Sequence, residues 1–222
     1  MSGAALTLVI GNRNYASWSL RAWLVLAMTG APFQEVRIPL HEPDTAQRIR
    51  RYSPAGKVPV LIDGEVTVWE SLAICEYLAE RFPQAGLWPH EPTARAVARA
   101  AAHEMHAGFA ALRRELPMNV RAERRGIEPG EAAQADITRV LELWAQLRER
   151  FGAHGPFLFG RFSIADAMYA PVVLRFRTYG VDAGRVDSSG ARYCAAVLAL
   201  APMQRWIADA CAETERIAAF ER

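Results

Sequence analysis

Two short stretches of the sequence combine groups that could bind a small polar ligand. Glu70 and Ser71 stand directly before a helical pattern, where the N–H groups and positive dipole end of a helix favour an anion. The Ser71 hydroxyl adds a donor there, the Glu70 carboxylate suits an ammonium group, and Lys57 supplies a positive charge upstream. Pro59 lacks an N–H and can follow a cis bond at a cost of about 0.5–1 kcal/mol, so its loop can leave the backbone of Val58 free for a ligand.

Each of these residues also has an ordinary structural interpretation. Pro59 can be a turn proline that leads into a strand, and Lys57 can be a solvated surface charge. Ser71 can be a helix N-cap beside an unrelated acidic residue, which is a common arrangement. The occurrence of both stretches together favours a binding site.

The elements that position these residues follow from the hydrophobic pattern. Alternating or short apolar runs predict strands, and apolar residues at helical spacing predict helices. Asp63-Gly64 is typical of a two-residue hairpin turn. In chain order the pattern predicts a strand at 6–10, a helix at 17–29, a strand at 33–38, a short helix at 44–52, strands at 58–62 and 65–68, and a helix at 71–81. The first half therefore has the order βαβαββα.

The composition changes after this unit. Residues 82–92 contain three prolines and Gly86, which is typical of a surface linker. The remaining sequence shows helical patterns at 93–116, 131–151, 163–179, 189–199 and 202–218. We therefore predict a first domain over 1–82, a linker over 83–92 and an all-helical domain over 93–222.

Charge and composition argue against a nucleic-acid partner. The chain has 26 Lys and Arg against 24 Asp and Glu, and the arginines are spread along helices rather than gathered in one block. Trp18, Trp23 and Trp69 could offer a stacking platform for bases, but their helix and strand-end positions favour packing. No partner of this class is expected.

The hydrophobic pattern also predicts no membrane association. The apolar run at residues 4–10 is too short for a signal peptide, and no stretch reaches the length of a transmembrane span. We expect a cytoplasmic location.

The cysteines and histidines do not form a recognisable metal or disulfide pattern. Cys75, Cys194 and Cys211 are widely spaced without a C-x-x-C pair, and their apolar surroundings indicate small core residues. His103 and His106 share a helix face, but no third ligand is visible. No metal site is predicted.

Three motifs resemble those of the cytosolic glutathione S-transferase family, and of its bacterial, serine-type-like members. Lys57-Val58-Pro59-Val60-Leu61 followed by Trp69-Glu70-Ser71 is similar to the family's K-V-P-x-L … E-S pair. The stretch 159–166 is similar to the signature that opens the buried helix of the second domain. The resemblance implies an α/β plus all-α protein, with a thioredoxin-like domain followed by a helical bundle. Within the last motif, Ser163 and Asp166 form a capping box, which we interpret as structural.

The resemblance implies glutathione as the co-substrate. Val58, beside Pro59, would pair with the cysteinyl backbone as an added strand would. Ser71 would hold the γ-glutamyl carboxylate, Glu70 the γ-glutamyl ammonium group and Lys57 the glycyl carboxylate.

The family activates the glutathione thiol with a hydrogen bond from a Tyr or Ser at the start of the first helix. Lowering a thiol pKa of about 8.5 by two units takes about 2.7 kcal/mol. When Arg21 and Gly30 are aligned with the serine-type members, their usual serine falls on Ala16. We predict that the next residue, Ser17, is the catalytic hydroxyl and that it also caps the helix.

Two other hydroxyls remain open for this role. Tyr15 and Ser19 lie on either side of Ser17. Trp18 falls near the position of the cysteine in Cys-type members, so the mixed-disulfide chemistry of that class has no nucleophile here.

The resemblance also implies a pocket for a second substrate, formed by the helical domain. We predict Tyr15, His106 and Phe109 as its wall residues, although packing between helices is an equal alternative for the last two. The expected substrate is a small apolar electrophile or an organic hydroperoxide. The expected assembly is a homodimer.

Two other functions remain open. Because Ala16 stands at the position of the usual serine, the chain could also be a non-catalytic protein that binds glutathione or carries ligands. An isomerase of the zeta type, acting on maleylacetoacetate, ranks lower because its serine-serine-cysteine motif is absent at residues 16–18.

Overall fold

A four-stranded mixed sheet forms the centre of the first half of the chain. The computed structural model describes residues 6–221. The strands are β1 (Leu6–Ile10), β2 (Phe33–Arg37), β3 (Val60–Asp63) and β4 (Val66–Trp69), in the order β2-β1-β3-β4. β1 runs parallel to β2 and antiparallel to β3, which forms an antiparallel hairpin with β4. Gly64 in the hairpin turn has a φ of 60°, a backbone region that glycine adopts readily.

Helices cover both faces of this sheet because successive strand residues point to opposite sides. Leu8 and Ile10 face the larger core, together with α1 (Ser17–Met28) and α3 (Ser71–Arg81). Val9 lies between them and faces a smaller core with α2 (Thr45–Arg50). The predicted βαβαββα order is confirmed. The predicted strand at 58–62 begins too early, because Pro59 has no N–H to pair with a neighbouring strand.

The second half of the described chain is helical. Its helices are α4 (Pro92–Ala107), α5 (Ala110–Glu115), α6 (Glu131–Phe151), α7 (Ile164–Tyr179), α8 (Ser188–Ala199) and α9 (Ala201–Ala212). Short 3-10 turns lie at Pro83–Ala85 and Ala218–Phe220. The predicted helix at 93–116 is in fact two helices, because Phe109 adopts a left-handed φ of 59° after Gly108. Within residues 6–221, no helix combines the length and apolar character that crossing a bilayer needs.

The central helix α7 is buried along its whole length except at Arg177. Its start is the predicted capping box, which the structure confirms. The Asp166 carboxylate accepts hydrogen bonds from the Ser163 N–H at 2.8 Å, the Ser163 hydroxyl at 3.0 Å and the Leu158 N–H at 3.1 Å. Burial raises the pKa of Asp166 to about 6 against the effect of these donors. One carboxylate thus fixes both the helix start and the loop before it.

The chain after α9 forms a strap, residues 213–221, that returns to the first half. Glu213 accepts hydrogen bonds from the N–H groups of Arg13 at 2.8 Å and Asn14 at 3.1 Å. Glu215 pairs with Arg37 at 2.7 Å. These long-range contacts keep the strap from continuing α9, so the predicted helix at 202–218 is wrong beyond Ala212, where α9 ends.

Tyr15 anchors the strap from the other side. Its hydroxyl bonds to the Glu221 carboxylate and accepts hydrogen bonds from Arg121 at 2.8 Å and from the Ile217 N–H at 3.3 Å. Its ring lies 5.6 Å from that of Phe220, measured between centroids. The Tyr15 hydroxyl is therefore fully used within the fold.

The buried capping carboxylate gives a first prediction. Asp166→Ala should lower the free energy of unfolding by about 3 kcal/mol, because it leaves buried donors without an acceptor. Asp187→Ala is the matched control, since Asp187 caps the exposed start of α8 by accepting from the Ser189 and Gly190 N–H groups. It should cost about 1 kcal/mol. Urea denaturation measures both losses, and equal losses would contradict the role given to burial.

The anchored strap gives a second prediction. Tyr15→Phe should lower the free energy of unfolding by about 1–2 kcal/mol, because it removes a hydroxyl shared by several partners. Tyr52→Phe is the control, because Tyr52 packs at the edge of the smaller core and its hydroxyl has no hydrogen bond within the described chain. That change should stay within about 0.5 kcal/mol. A Tyr15→Phe protein as stable as the control would mean that the strap does not depend on this hydroxyl.

Candidate functional site

A cleft of about 450 Å³ lies between the start of α1, the loop before β3 and the start of α3. We call it the first cleft. Its lining residues are Trp18, Leu40, Ile49, Ala55, Gly56, Lys57, Val58, Pro59, Trp69, Glu70 and Ser71. The structure thus brings together the five residues predicted from the two sequence motifs to contact glutathione.

The loop before β3 presents its backbone to the first cleft. The Val58-Pro59 peptide bond is cis, and Pro59 is buried. In the described chain, neither the N–H nor the C=O of Val58 joins a backbone hydrogen bond of a turn, loop or cap. The Lys57 N–H donates to the Ser53 hydroxyl at 3.1 Å, which holds the loop, while the Lys57 side chain is exposed.

The start of α3 offers an acid and an unused hydroxyl side by side. Glu70 is the N-cap residue, with a left-handed φ of 69° and no capping bond from its side chain. Such a conformation costs a non-glycine residue about 1–3 kcal/mol and often marks a functional site. Ser71 is the first helical residue, so it is not the cap. Its hydroxyl is buried without a partner among the described residues, at the helix end that favours an anion.

A second cleft of about 280 Å³ adjoins the first at Trp18, Leu40 and Val58. Its full lining consists of Tyr15, Ala16, Ser17, Trp18, Ser19, Leu40, His41, Val58, Arg113, Pro117, Met118, Arg175 and Phe220. The start of α1 therefore forms a wall of both clefts.

The three candidate hydroxyls at this wall differ in their hydrogen bonds. Ser19 accepts from the Gly11 N–H at 3.2 Å, and the Tyr15 hydroxyl is used by the strap. The Ser17 hydroxyl has no hydrogen bond within the described chain. Ala16, not Ser17, is the N-cap of α1, so the expectation that Ser17 caps the helix is wrong. As the first helical residue, Ser17 keeps its hydroxyl free for a ligand.

The loop before α1 is fixed by two buried asparagines. The Asn12 side chain accepts from the Leu40 N–H at 2.7 Å. The Asn14 side chain donates to the Asn119 side chain at 2.9 Å and accepts from the Arg121 N–H at 3.0 Å. These bonds tie the start of α1 to the segment between α5 and α6.

Neither of the two wall residues predicted on the helical side is among the lining residues of the two clefts, and their positions differ. The His106 ring lies 5.1 Å from the Trp18 ring, and its Nε2 atom lies 4.0 Å from the Glu70 carboxylate. Burial lowers the pKa of His106. Phe109 is buried in the core, 6.5 Å from the Tyr169 ring, and lines neither cleft. Phe109 therefore packs in the core, as the alternative interpretation predicted, and is not a wall residue of either cleft.

The tryptophans also divide into two groups. Trp23 is buried, 5.2 Å from the Trp206 ring, as predicted for a packing residue. Trp18 and Trp69 line the first cleft, and the Trp18 ring also packs against the His106 ring. The Arg21 guanidinium lies 4.4 Å from the centroid of the Trp18 ring. The sequence could have predicted this contact, because an Arg three residues after a Trp lies on the same face of a helix.

The cysteines have three different environments. Cys75 is buried, Cys194 is partly buried and Cys211 is exposed. The core interpretation is therefore wrong for Cys211, which lies on the solvent side of α9 near its end. Burial raises the pKa of Cys194 to about 12. Among residues 6–221, no three His, Cys, Asp or Glu side chains are grouped closely enough to hold a metal ion.

Comparison with known proteins identifies both halves of the chain. The sequence model of the glutathione S-transferase N-terminal domain matches residues 15–81, and that of the C-terminal domain matches residues 130–208. A stringent starvation protein A homolog from Haemophilus ducreyi is 28% identical over 165 residues, which cover 74% of this chain and 72% of that protein. The "Probable maleylacetoacetate isomerase" of Caenorhabditis elegans is 37% identical over 89 residues, or 40% of each chain.

A solved structure shows the same fold over almost the whole chain. It is a glutathione transferase homolog from Burkholderia GL BGR1 with bound glutathione, 24% identical, with a TM-score of 0.69. The alignment covers 93% of this chain and 98% of that one. With a thioredoxin-like sheet, a helical second half and both domain matches, the chain belongs to the glutathione S-transferase family.

Proposed function

We propose that this protein is a glutathione transferase that binds glutathione in the first cleft and activates its thiol at Ser17. The second substrate, a small electrophile, then occupies the second cleft. The observation that carries the proposal is the junction of the two clefts at the start of α1, beside the one candidate hydroxyl that no hydrogen bond uses in the described chain.

The first cleft has groups complementary to each part of glutathione. The unpartnered Ser71 hydroxyl and the N–H groups of α3 suit the γ-glutamyl carboxylate, and Glu70 suits its ammonium group. Val58 offers free backbone groups to the cysteinyl residue. Lys57 lies on the same rim and suits the glycyl carboxylate.

This placement directs the cysteinyl side chain toward the second cleft, because Val58 lines both clefts. Ser17 can then donate a hydrogen bond to the sulfur. One charge-assisted hydrogen bond at a helix start is worth about 1.5–3 kcal/mol, enough to lower the thiol pKa by about one to two units. The thiol proton goes to water, the sulfur forms a bond to the electrophilic carbon, and the leaving group departs with the electron pair of the bond that breaks.

The proposal includes an organisation in two domains, 1–82 and 93–222, joined by 83–92. We infer a cytoplasmic homodimer. Gel filtration tests the assembly, since a mass near the 24.6 kDa of one chain would contradict the dimer.

A second candidate function is glutathione binding without turnover. Two observations favour it: Ala16 stands where serine-type members have their serine, and one relative is a stringent starvation protein A homolog. Retention on glutathione-agarose separates the functions when combined with a substrate panel of chlorodinitrobenzene, an organic hydroperoxide and maleylacetoacetate. Retention without turnover of any of them would favour the binding protein.

The role of Glu70 gives a third prediction. Glu70→Gln should weaken glutathione binding about 10- to 100-fold, because it removes the charge that pairs with the γ-glutamyl ammonium group. Isothermal titration calorimetry measures the affinity. Glu65→Gln is the matched control, because Glu65 is exposed in the β3–β4 turn. An unchanged affinity in Glu70→Gln would remove Glu70 from the site.

The role of Ser17 gives a fourth prediction. Ser17→Ala should lower kcat/KM for conjugation about 100-fold and raise the apparent pKa of its pH profile toward that of free glutathione. Ser17→Thr should recover part of the activity, because it restores a hydroxyl.

Ser188→Ala, on the exposed start of α8, serves as the control and should leave kcat/KM unchanged. If Ser17→Ala kept the activity and pH profile of the unmodified protein, a group other than Ser17 would donate the hydrogen bond to the sulfur.

A further inference from the structure

Three arginines form a cluster beside the second cleft. Arg113 and Arg175 line the cleft. The Arg21 and Arg113 guanidinium groups lie 4.4 Å and 4.8 Å from the centroid of the Trp18 ring, so both contact the wall that the clefts share. We call Arg21, Arg113 and Arg175 the arginine cluster.

Two members of the arginine cluster are buried without enough hydrogen-bond partners. Arg21 is 1% exposed and Arg175 is 3% exposed. Among the described residues, Nε and Nη1 of Arg21 and Nη1 of Arg175 have no acceptor. The Nε atom of Arg175 donates to the Leu116 carbonyl oxygen at 2.8 Å, which fixes the side chain at the cleft that Arg175 lines.

The cluster has little negative charge around it in the described chain. No carboxylate is among the groups that shift the pKa of Arg21 or Arg175. Burial lowers the pKa of Arg113, and within the cluster the Asp136 carboxylate opposes this shift for Arg113 but not for the other two arginines. The same carboxylate also accepts a hydrogen bond from the Leu112 N–H at 3.0 Å.

These surroundings lower the pKa of Arg21 and of Arg175, but both guanidinium groups remain charged. Burial, followed by the charges of Arg175 and Arg113, lowers the pKa of Arg21 to about 9. Burial and the charge of Arg113 lower the pKa of Arg175 to about 10. Both side chains are still protonated at neutral pH. A buried charge without a counterion is costly, so a cleft with this wall favours an anionic occupant.

We propose that the second cleft selects electrophiles that carry a carboxylate, which Arg113 and Arg175 bind. Guanidinium groups match a carboxylate with paired donors, which a neutral substrate would leave unused. Leu40, Pro117 and Met118 provide an apolar surface for the body of the substrate. This inference rests on the proposed function, because it places the electrophilic carbon beside the thiol at Ser17.

The size of the second cleft limits the occupant. At about 280 Å³ it suits a single small ring or a short chain rather than a large molecule. The glycyl carboxylate of glutathione is assigned to Lys57 in the first cleft, so the arginine cluster is left for the second substrate.

The experiment compares two aryl chlorides that differ in one group, 4-chloro-3-nitrobenzoate and 4-chloro-3-nitrobenzamide. In both reactions the glutathione sulfur forms a bond to the ring carbon, chloride leaves with the electron pair of the C–Cl bond, and the thiol proton goes to water. Arg113→Met should lower kcat/KM for the benzoate about 10- to 100-fold and change that for the benzamide less than about threefold.

Arg114→Met is the matched control. Arg114 is the next residue of α5, is exposed and pairs with Glu115, so its loss removes an equal charge outside the cleft. It should leave both substrates unaffected. If Arg113→Met does not fold, Arg113→Lys provides the test, because it keeps the charge without the paired donors; we expect about a fivefold loss for the benzoate only.

A second measurement needs no turnover. The protein should bind 3-nitrobenzoate at least about tenfold more tightly than 3-nitrobenzamide in calorimetry, and Arg113→Met should abolish the difference. Equal binding of the two compounds, or an equal loss of both substrates in Arg113→Met, would overturn the carboxylate site. Failure of the proposed transferase function would appear separately, as absent turnover with this binding preference retained.

Discussion

A buried hydrogen bond between Asn14 and Asn119 holds the two halves of this protein in the arrangement on which its clefts depend. The 2.9 Å bond ties the loop before α1 to the segment after α5. Asn119 also donates to the Phe220 carbonyl oxygen at 3.1 Å, which brings the strap to the same point. Both asparagines are fully buried, where an unpaired amide would cost several kcal/mol. The start of α1 is therefore fixed relative to two distant segments.

The charges near α1 are separated by the same arrangement. Glu70 provides an acidic group on the side of the first cleft, and the arginine cluster provides positive charge on the side of the second. Trp18 lies between them, with guanidinium groups against its ring and the His106 ring at its edge. An aromatic ring can face cations without adding a net charge. The start of α1 thus lies between an acidic and a basic region.

Local patterns predicted the parts of this molecule that local interactions determine. The βαβαββα element order, the Asp63-Gly64 turn and the capping box at Ser163 follow from local sequence patterns, and the structure confirms them. Five lining residues of the first cleft were also predictable, because they lie in two motifs close together in the chain. Their binding roles are still predictions.

The second cleft could not be predicted in the same way. Arg113 and Arg175 come from different helices, and no local pattern indicates that their side chains meet. The path of the strap depends on contacts such as that of Glu213 with Arg13, which are about 200 positions apart in the chain. Helix propensity predicted that the last helix continues past Ala212, because propensity contains no information about contacts with distant residues. Phe109 was misplaced for a related reason, since its left-handed backbone turns the ring into the core.

The division of the lining between the two halves has a consequence for how this protein can diversify. Every residue of the first cleft comes from positions 18–71, whereas the second cleft takes Arg113, Pro117, Met118, Arg175 and Phe220 from the helical half and the strap. Under the proposed function, substitutions at those five positions would change the choice of electrophile and leave the residues assigned to glutathione unaltered. Only Trp18, Leu40 and Val58 serve both clefts. A substitution at any of these three residues alters the lining of both clefts at once, so they should be the slowest to change among descendants.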